Sequence, residues 1–411
     1  MPDVAATERR HVVIVGAGFG GLTCARALAR RGEVTITVVD RNPYQVFSPL
    51  LYQVATGGLP EDDIAYPVRA AVPGVAFRRG EVVRISTELR TLRLADGHVI
   101  AFDELVLAVG STGTTFGIPG VEEYALQMKT IQEARAIKRR LLQTYEDVEF
   151  GRLPKEALRV VVVGGGPTGV EVSGAVAELQ RAMRHEFPSL FRLASVTLVE
   201  AGPRLLPSFT EKSSAHAKSE LEALGVEVKV ASPVDRMYPS DVHLVSGDVL
   251  PAGTIVWAAG VEAPAEWRGL GVADRANRLE VSPTLQISPG VWVIGDVAHC
   301  VGPDGRPLPM VASVAMQMGR YVAGAIVRQS RGEPLSPFAY KDKGQMATIG
   351  RRRAVVELPS GIRLHGTSAW LTWLGLHVFY LAGGRHRVSV IADWFWNYVA
   401  WGVGPRRTVI D

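Results

Sequence analysis

Two glycine clusters in this chain have the spacing of loops that hold the phosphates of a dinucleotide. The clusters are Gly16, Gly18 and Gly21, and Gly164, Gly166 and Gly169. Such glycines permit a tight turn after a buried strand and let a pyrophosphate approach the N-terminus of the following helix. In both halves the next apolar run leads to an acid, Asp40 or Glu200, whose carboxylate can accept hydrogen bonds from ribose hydroxyls. The sequence therefore predicts two dinucleotide-binding units.

The simplest pair of dinucleotides for such a chain is a flavin and a nicotinamide. Asp40 and the first glycine cluster imply an adenosine moiety, which favours FAD over FMN. Glu200 would repel a 2′-phosphate, so NADH is favoured in the second unit, although the nearby Arg204 leaves NADPH open. A later apolar run ends at Gly295 and Asp296. This carboxylate either holds the ribityl chain of the flavin or a bridging water, or it caps a helix.

The elements around these residues predict an α/β fold with two Rossmann-like domains. Each glycine cluster stands between a β-branched run and a helix pattern rich in small residues, and a second strand follows. Between the two units, residues 82–111 are typical of a meander that turns at Asp96 and Gly97. We expect an FAD-binding domain from residues 1–115 and 270–335, an NADH-binding domain from 116–269, and a C-terminal membrane-association segment from 336–411.

Composition argues against several other classes of protein. The formal net charge of +4 over 411 residues does not indicate nucleic-acid binding. The two cysteines, Cys24 and Cys300, provide neither a disulfide framework nor a metal cluster, so we expect no metal site and a reducing cytosol. Residues 1–11 lack the apolar core of a signal peptide. His299 precedes Cys300, but without a partner motif we assign this pair no chemistry.

Longer stretches of the chain resemble one family. They are FSPLLYQVATGGLPEDDIAYPVR at 47–69, PMVASVAMQMGRYVA at 309–323, and KGQMATIGRRRAVVEL at 343–358 with AWLTWLGLHVFYLAGGRHRVSVIADWFWNYV at 369–399. Together with the two nucleotide patterns and the late IGD motif, these stretches are similar to type II NADH dehydrogenases. Those enzymes are the single-subunit NADH:quinone oxidoreductases of the two-dinucleotide flavoprotein superfamily. The resemblance extends from about His11 to Ile410.

The resemblance implies a motif that lies against the flavin ring and helps to form a quinone site. Ala312, Ala315, Gln317 and Gly319 match it. In the family the small residues let the helix backbone approach the ring, and Gln317 would donate a hydrogen bond to a quinone carbonyl. Many members carry a second glutamine where this chain has Met318, which puts the quinone preference in doubt but not the reaction.

The resemblance also implies roles for three further residues. Tyr52 and Gln53 match a tyrosine–glutamine pair near the flavin and the quinone tunnel, and Glu171 matches a glutamate near the nicotinamide and the flavin edge. The alternatives are a packed tyrosine with a satisfied hydroxyl, and a first-turn glutamate that stabilises the helix dipole. Disulfide reductases and sulfide:quinone reductases of this fold need paired cysteines, which this chain does not provide.

The C-terminal segment predicts two amphipathic helices at a membrane surface. Residues 370–382 are almost all apolar, yet as a helix they cover about 20 Å, less than the ~30 Å core of a bilayer. In the second helix an apolar face is expected from Ile391, Trp394, Phe395, Tyr398 and Gly402. The tryptophans at positions 370, 373, 394, 396 and 401 suit an interfacial depth. The alternative is a soluble core or dimer interface, and the resemblance implies a homodimer through this region.

The resulting prediction is a peripheral, monotopic enzyme on the cytoplasmic face of the cell membrane. NADH would give a hydride to FAD, and two electrons would then pass to a quinone, taken here as menaquinone, without proton pumping. Two alternatives remain open. One is an NAD(P)H-dependent flavoprotein that reduces a soluble or specialised acceptor. The other is a non-catalytic, NADH-responsive protein that uses its apolar C-terminal segment to bind a partner.

Overall fold

The computed structural model describes residues 9–399, and side chains are described up to residue 396. The predicted positions Tyr398, Trp401 and Gly402 therefore lie outside the described side chains. The chain forms two compact units. The first combines residues up to Gln45 with Tyr66–Thr112 and Val261–Asp342, and the second combines Val46–Ala65, Gly113–Gly260 and the residues from Lys343. The units therefore divide the chain at positions that differ from the expected domain boundaries, because residues 46–65 and the C-terminal segment both pack within the second unit.

The elements are numbered here in chain order. The α-helices are α1 Phe19–Ala29, α2 Leu51–Ala55, α3 Val68–Ala71, α4 Val121–Tyr124, α5 Ile131–Glu149, α6 Pro167–Ala182, α7 Glu211–Ala223, α8 Ala312–Ser330, α9 Gly366–Tyr380 and α10 Gly384–Val399. The strands of the first half are β1 His11–Val15, β2 Thr35–Asp40, β3 Tyr44–Val46, β4 Ala65–Pro67, β5 Ala76–Arg79, β6 Val82–Ser86, β7 Thr91–Leu94, β8 Val99–Ala101, β9 Glu104–Leu107, β10 Thr112–Gly113 and β11 Ala125–Gln127. The others are β12 Arg159–Val163, β13 Ser195–Val199, β14 Val226–Lys229, β15 Val234–Tyr238, β16 Asp241–Leu244, β17 Val249–Pro251, β18 Thr254–Trp257, β19 Val261–Glu262, β20 Leu279–Glu280, β21 Gln286–Ser288, β22 Val291–Val293, β23 Ala298–His299, β24 Gln345–Gly350, β25 Arg353–Glu357 and β26 Arg363–His365.

The first unit is built on a six-stranded sheet in the order β21-β22-β9-β1-β2-β5. Its strands are parallel except for β21, which runs antiparallel to β22. Val12, Val13 and Ile14 of the central strand are fully buried, as expected for a parallel strand covered on both faces. The expected meander is present as the antiparallel sheet β6-β7-β8. This unit confirms the first Rossmann-like fold.

Helices α1 and α8 of the first unit pack closely against each other because both carry glycine at the contact. A Cβ at Gly319 would lie 2.4 Å from the Gly20 carbonyl oxygen and 3.1 Å from the Cys24 nitrogen. A side chain at either crossing position would push the helices apart. Gly319, expected to lie against a flavin ring, therefore has a packing role that the sequence motif does not reveal.

The second unit repeats the parallel design in a five-stranded sheet, β11-β18-β12-β13-β14. The glycine loop follows its central strand β12, as it follows β1 in the first unit. Helix α6 ends at Ala182, and a run of turns leads from it to β13. The second Rossmann-like fold is confirmed.

The C-terminal segment of the second unit begins with the antiparallel sheet β24-β25-β26 and continues into α9 and α10. Helix α9 packs on this sheet, where Ala369 and Trp370 join Ala354 and Val356 in a small core. The two expected helices are thus present. No helix within residues 9–399 has the length and apolar content needed to cross a membrane.

Candidate functional site

The three glycines of the first loop are required for different reasons. Gly16 has a φ of +102°, and a Cβ there would lie 2.3 Å from the Ala108 carbonyl oxygen. A Cβ at Gly21 would lie 1.9 Å from the carbonyl oxygen of Gly16. At Gly18, which precedes α1, a Cβ would meet no atom within 4 Å. The fold itself thus requires Gly16 and Gly21, while the open space at Gly18 fits a phosphate group at the N-terminus of α1.

The loop after β12 has the same arrangement in the second unit. Gly164 has a φ of +112°, and a Cβ there would lie 2.7 Å from the Ala259 nitrogen. A Cβ at Gly169 would lie 1.7 Å from the Gly164 carbonyl oxygen, whereas one at Gly166 would meet nothing within 4 Å. This second loop therefore also leaves room for a ligand at its middle glycine, at the start of α6.

The two predicted acids make equivalent hydrogen bonds. Asp40 accepts the N–H of Ala17 at 2.6 Å and that of Asn42 at 2.7 Å. Glu200 accepts the N–H of Gly165, inside the glycine loop, and that of Gly202 at 2.6 Å. Each carboxylate is therefore held against its own glycine loop, where the ribose of an adenosine moiety is bound in folds of this type. Burial raises the pKa of Asp40, and the hydrogen bonds from the two N–H groups oppose that rise.

Arg204 is held by its own loop in the second unit. Its Nη1 donates to the Phe209 carbonyl oxygen at 2.6 Å and to the Ser214 hydroxyl at 2.7 Å. Its Nη2 donates to the Pro207 carbonyl oxygen at 2.6 Å. Both terminal nitrogens of Arg204 thus already make hydrogen bonds within its own loop, some of which it would have to give up to bind a 2′-phosphate beside Glu200.

Asp296 follows β22 in the first unit and accepts a hydrogen bond from the Ser111 hydroxyl at 2.7 Å. It lies within a single 3-10 turn at Gly295–Val297, and α8 begins later, after Val311. The interpretation of Asp296 as a helix cap is therefore wrong. Gly295 has a φ of +75°, and a Cβ there would lie 3.3 Å from the Cβ of Ala315, so the small residues of α8 meet this turn directly. The open space at Gly18 and the two carboxylates, Asp40 and Asp296, together fit FAD.

Gln317 and Met318 of α8 have different surroundings. Gln317 is half-buried, its Nε2 donates to the Lys341 carbonyl oxygen at 2.8 Å, and its Oε1 accepts the Lys341 N–H at 3.0 Å. One hydrogen of its NH₂ group and one lone pair of its oxygen remain, so a carbonyl ligand is compatible with this pairing. The Met318 side chain is buried, and its Sδ accepts the Gly295 N–H at 3.2 Å. Met318 is thus a support for the turn at Gly295. Its expected effect on quinone preference, like the quinone role of Gln317, stays a prediction.

A cavity of about 60 Å³ in the second unit brings the other predicted catalytic residues together. Its lining includes Tyr52, Gln53, Glu171, Glu178, Trp370 and Trp394. The sequence separates these residues by more than 300 positions, and α2, α6, α9 and α10 carry them to one place. Glycine is the reason for the close approach on one side, since a Cβ at Gly174 of α6 would lie 1.7 Å from the Ile349 carbonyl oxygen of β24.

Glu171 and Glu178 are on the face of α6 that meets β24. The Oε1 of Glu171 accepts the Thr348 N–H at 3.3 Å, and the Oε1 of Glu178 accepts the Arg351 N–H at 2.7 Å. Burial raises the pKa of Glu171 from 4.5 to about 8, against the lowering effects of the Thr348 N–H and the Trp373 side chain. Glu171 is therefore mostly protonated at neutral pH and can donate a proton into the cavity. Glu178, Thr348 and Arg351 were not predicted from the sequence.

A chain of hydrogen bonds runs through the same cavity. The Nε1 of Trp394 donates to the Oε1 of Gln53, and the Nε2 of Gln53 donates to the hydroxyl of Tyr52, each at 2.8 Å. The alternative interpretation, a packed tyrosine with a satisfied hydroxyl, is correct to the extent that Tyr52 is 6% exposed and hydrogen-bonded. The expected position of Trp394 on an exposed apolar face is wrong, because its side chain is 5% exposed and points towards Gln53.

The outer surface of α9 and α10 is nevertheless apolar. Exposed side chains on the two helices are Leu371, Leu376, Phe379, Tyr380, Val388, Ile391, Phe395 and Trp396, with exposures between 38% and 68%. Arg387 donates to the carbonyl oxygens of Phe379 and Leu381, each at 2.9 Å, and so caps the end of α9. The same helices thus line the cavity with Trp370 and Trp394 and expose several large apolar side chains to the surroundings.

Comparison with known proteins places this geometry in a family. The model of the pyridine nucleotide-disulphide oxidoreductase family matches residues 10–319. The chain is 34% identical to the type II NADH:quinone oxidoreductase Ndh of Mycobacterium tuberculosis, over 96% of this chain and 89% of that protein. It is 30% identical to the type II NADH:quinone oxidoreductase of Staphylococcus haemolyticus, over 85% and 90% respectively. The fold matches a solved structure of NDH2 from Plasmodium falciparum in complex with NADH, with a TM-score of 0.88 at 21% identity over 98% of this chain and 100% of that one. On this basis the chain belongs to the pyridine nucleotide-disulphide oxidoreductase family and, within it, to the type II NADH:quinone oxidoreductases.

Proposed function

We propose that this protein oxidises NADH and reduces a membrane quinone, menaquinone, through FAD and without pumping protons. Membership of the family supports the reaction. The observation that carries the residue assignment is the cavity in which Tyr52, Gln53 and Glu171 meet tryptophans from the apolar helices α9 and α10. That arrangement places proton donors beside the helices along which a lipid-soluble molecule would approach.

In the first unit, the chain would hold FAD with its glycine loop, its acids and the start of α8. The pyrophosphate would fit at the loop of Gly16, Gly18 and Gly21, and the carboxylate of Asp40 would accept hydrogen bonds from the hydroxyls of the adenosine ribose. Gly295, Asp296, Ala312 and Ala315 form the turn and helix start beside which the rest of the cofactor would lie. Bound there, FAD would supply the redox chemistry that links hydride transfer from NADH to two-electron reduction of the quinone.

In the second unit, Gly164, Gly166, Gly169 and Glu200 would hold NADH. Glu200 is already oriented by the N–H groups of Gly165 and Gly202, so its oxygens face the loop where the adenosine ribose binds. A 2′-phosphate at that place would meet a carboxylate, and Arg204 is committed to its own loop. We therefore assign NADH over NADPH as the substrate.

On the quinone side, we assign hydrogen bonding to Gln317 and Tyr52, with Gln53 orienting Tyr52. Reduction of a quinone to a quinol consumes two protons, and a protonated Glu171 at neutral pH is a suitable donor for one of them. The phenolic hydrogen of Tyr52 can donate to a carbonyl oxygen. Tyr52 and Glu171 line the cavity together with the buried Trp370 and Trp394, and these apolar surroundings would strengthen their interaction with developing negative charge.

We further propose that the exposed apolar residues of α9 and α10 lie in the interface of the cytoplasmic face of the cell membrane. Helices with exposed Phe379, Phe395 and Trp396 suit the boundary between headgroups and acyl chains. The protein would thus be peripheral, with quinone reaching the cavity from the membrane side. The family resemblance of the same region also supports a homodimer.

The test is an anaerobic experiment on the two half-reactions. Purified enzyme is mixed with NADH while the flavin absorbance is followed, and menadione, a short menaquinone analogue, is then added. We expect NADH to bleach the flavin and menadione to restore it. Gln317→Ala should slow only the second step, by about threefold to tenfold, the value of one lost hydrogen bond.

The matched control is Gln329→Ala, because Gln329 is also a half-buried glutamine of α8 and accepts from the Gln286 side chain at 3.0 Å. It should leave both steps unchanged. Bleaching by NADH without recovery on quinone would refute the quinone assignment and favour the alternative of a reductase for a soluble acceptor. A protein without NADH-dependent bleaching would refute the enzyme assignment as a whole.

A further inference from the structure

We infer that Trp394 is a positioning residue that fixes the direction in which the Tyr52 hydroxyl donates its hydrogen. The inference rests on the proposed function, because the quinone is the acceptor that this hydrogen serves. It concerns a residue in α10 that the sequence placed on an apolar face but whose side chain is buried, unlike its neighbours Phe395 and Trp396.

The geometry is a relay of three buried side chains within the second unit. Trp394, Gln53 and Tyr52 are 5%, 8% and 6% exposed. The Nε1–H of Trp394 is 2.8 Å from the Oε1 of Gln53, and the Nε2 of Gln53 is 2.8 Å from the Tyr52 hydroxyl oxygen. Both ends of the glutamine amide are thus in contact with a polar group of another side chain.

The indole settles the direction of the relay because it can only donate. An amide such as that of Gln53 has a donor end and an acceptor end of nearly the same shape, and its orientation is decided by its partners. The Nε1–H of Trp394 requires the oxygen of the amide to face it. The NH₂ group then faces Tyr52, whose oxygen must accept. The phenolic hydrogen of Tyr52 is consequently directed away from Gln53.

In the cavity, the phenolic hydrogen of Tyr52 can donate to an oxygen of the bound quinone. Tyr52 lines the cavity together with Glu171, whose raised pKa keeps it protonated at neutral pH. Without the indole N–H, the Gln53 amide is free to rotate by half a turn. Its oxygen would then accept the Tyr52 hydrogen, and Tyr52 would present only lone pairs to a carbonyl ligand, which is the wrong polarity for binding or protonating a quinone oxygen.

The experiment compares Trp394→Phe with the wild type in the anaerobic half-reactions. Phenylalanine keeps an aromatic ring beside Trp373, whose ring centroid lies 5.9 Å from that of Trp394, and removes the N–H. We expect an unchanged rate of flavin reduction by NADH, flavin reoxidation by menadione slowed by about threefold to tenfold, and a dissociation constant for menadione, measured by calorimetry, raised by a similar factor.

A double-mutant cycle with Tyr52→Phe separates positioning from packing. If Trp394 acts through the Tyr52 hydroxyl, Trp394→Phe should have no further effect once that hydroxyl is absent. Gln53→Leu is the second variant, and it should reproduce the loss in a protein that keeps Trp394. The matched control is Trp292→Phe, which also removes one buried indole hydrogen bond, the 2.8 Å contact with Glu104 in the first unit, and should leave both half-reactions unchanged.

The outcomes are distinct. Equal slowing of both half-reactions, or an undiminished effect of Trp394→Phe in the Tyr52→Phe background, would overturn the inference and leave a packing role. An unchanged rate in Trp394→Phe while the wild type reduces menadione would overturn it too, without harm to the proposed function. A wild-type enzyme whose reduced flavin menadione does not reoxidise would overturn the proposed function and this inference with it.

Discussion

Replacing Glu171 with glutamine should stabilise the folded protein at neutral and alkaline pH and leave its stability unchanged near pH 4. The side chain is partly buried in the cavity between α6 and β24, and burial raises its pKa from 4.5 to about 8. Glutamine has nearly the same shape, keeps an oxygen for the Thr348 N–H and carries no charge at any pH. The substitution therefore removes the cost of ionisation and little else.

The sign follows from where the proton is bound. Below about pH 4.5 the carboxyl is protonated in both the folded and the unfolded chain, so it adds no pH dependence. Between pH 4.5 and about 8 the unfolded chain releases the proton while the folded chain keeps it, and folding is progressively disfavoured as pH rises. Above about pH 8 both states are ionised, and the penalty is constant.

The magnitude follows from the size of the pKa shift. One pKa unit corresponds to about 1.4 kcal/mol, so the shift in Glu171 corresponds to a penalty of at most about 5 kcal/mol above pH 8 and about 3 kcal/mol at pH 7. In a protein of this size, that predicts a gain in Tm on the order of a few degrees at pH 8.5 and none at pH 4.5.

The assay is thermal unfolding of the wild type and Glu171→Gln, followed by circular dichroism at several pH values from 4.5 to 9. Glu280→Gln is the matched control, because Glu280 is exposed and its substitution should give a Tm difference that does not change with pH. A Tm difference for Glu171→Gln that is flat over this range, or that becomes more negative with rising pH, would show that Glu171 is not held protonated by burial.

Three further predictions test the nucleotide loops and the membrane surface. Gly21→Ala should fail to give folded protein, because the new Cβ would lie 1.9 Å from a carbonyl oxygen. Gly18→Ala should fold with the wild-type Tm in the absence of cofactor, and it should bind FAD at least about tenfold more weakly in a fluorescence titration. Glu200→Gln should raise kcat/KM for NADPH relative to NADH severalfold, and an unchanged ratio would refute the role of this carboxylate. Phe395→Glu, at a side chain that is 66% exposed, should release the protein from anionic liposomes in a flotation assay while leaving flavin reduction by NADH unchanged. Retained binding would argue against the assigned surface.

The local architecture of both nucleotide units could be predicted because it depends on residues close in the sequence. A β-branched strand, three glycines and an acid at the end of the next strand encode the strand–loop–helix–strand unit, and the structure shows both acids, Asp40 and Glu200, hydrogen-bonded to their own loops. The meander of β6-β7-β8 was likewise predictable from its turn and its alternating pattern. The two C-terminal helices were predictable from apolar content and from the arginines that interrupt it.

The sequence was less informative where a side chain has more than one possible partner. The periodicity of α10 assigned Trp394 to the same face as Phe395, but adjacent residues on a helix differ by about 100° in direction. The structure buries the first against Gln53 and exposes the second. For Arg204 and Met318, only the contacts with the loop at 206–214 and with Gly295 show that these side chains are already engaged.

By itself, the sequence determined the two parallel sheets, the glycine loops and the apolar character of the C-terminal helices, because each depends on short-range pattern and backbone conformation. Tertiary structure decided which distant groups share an environment. Tyr52, Glu171 and Trp394 meet in one cavity, on one side of which Gly174 lets β24 approach α6. This meeting buries the carboxyl of Glu171 and aligns the Gln53 amide. Burial raises the pKa of Glu171, and the indole of Trp394, which can only donate, orients the amide of Gln53. Both effects arise only from contacts between segments that are remote in the chain.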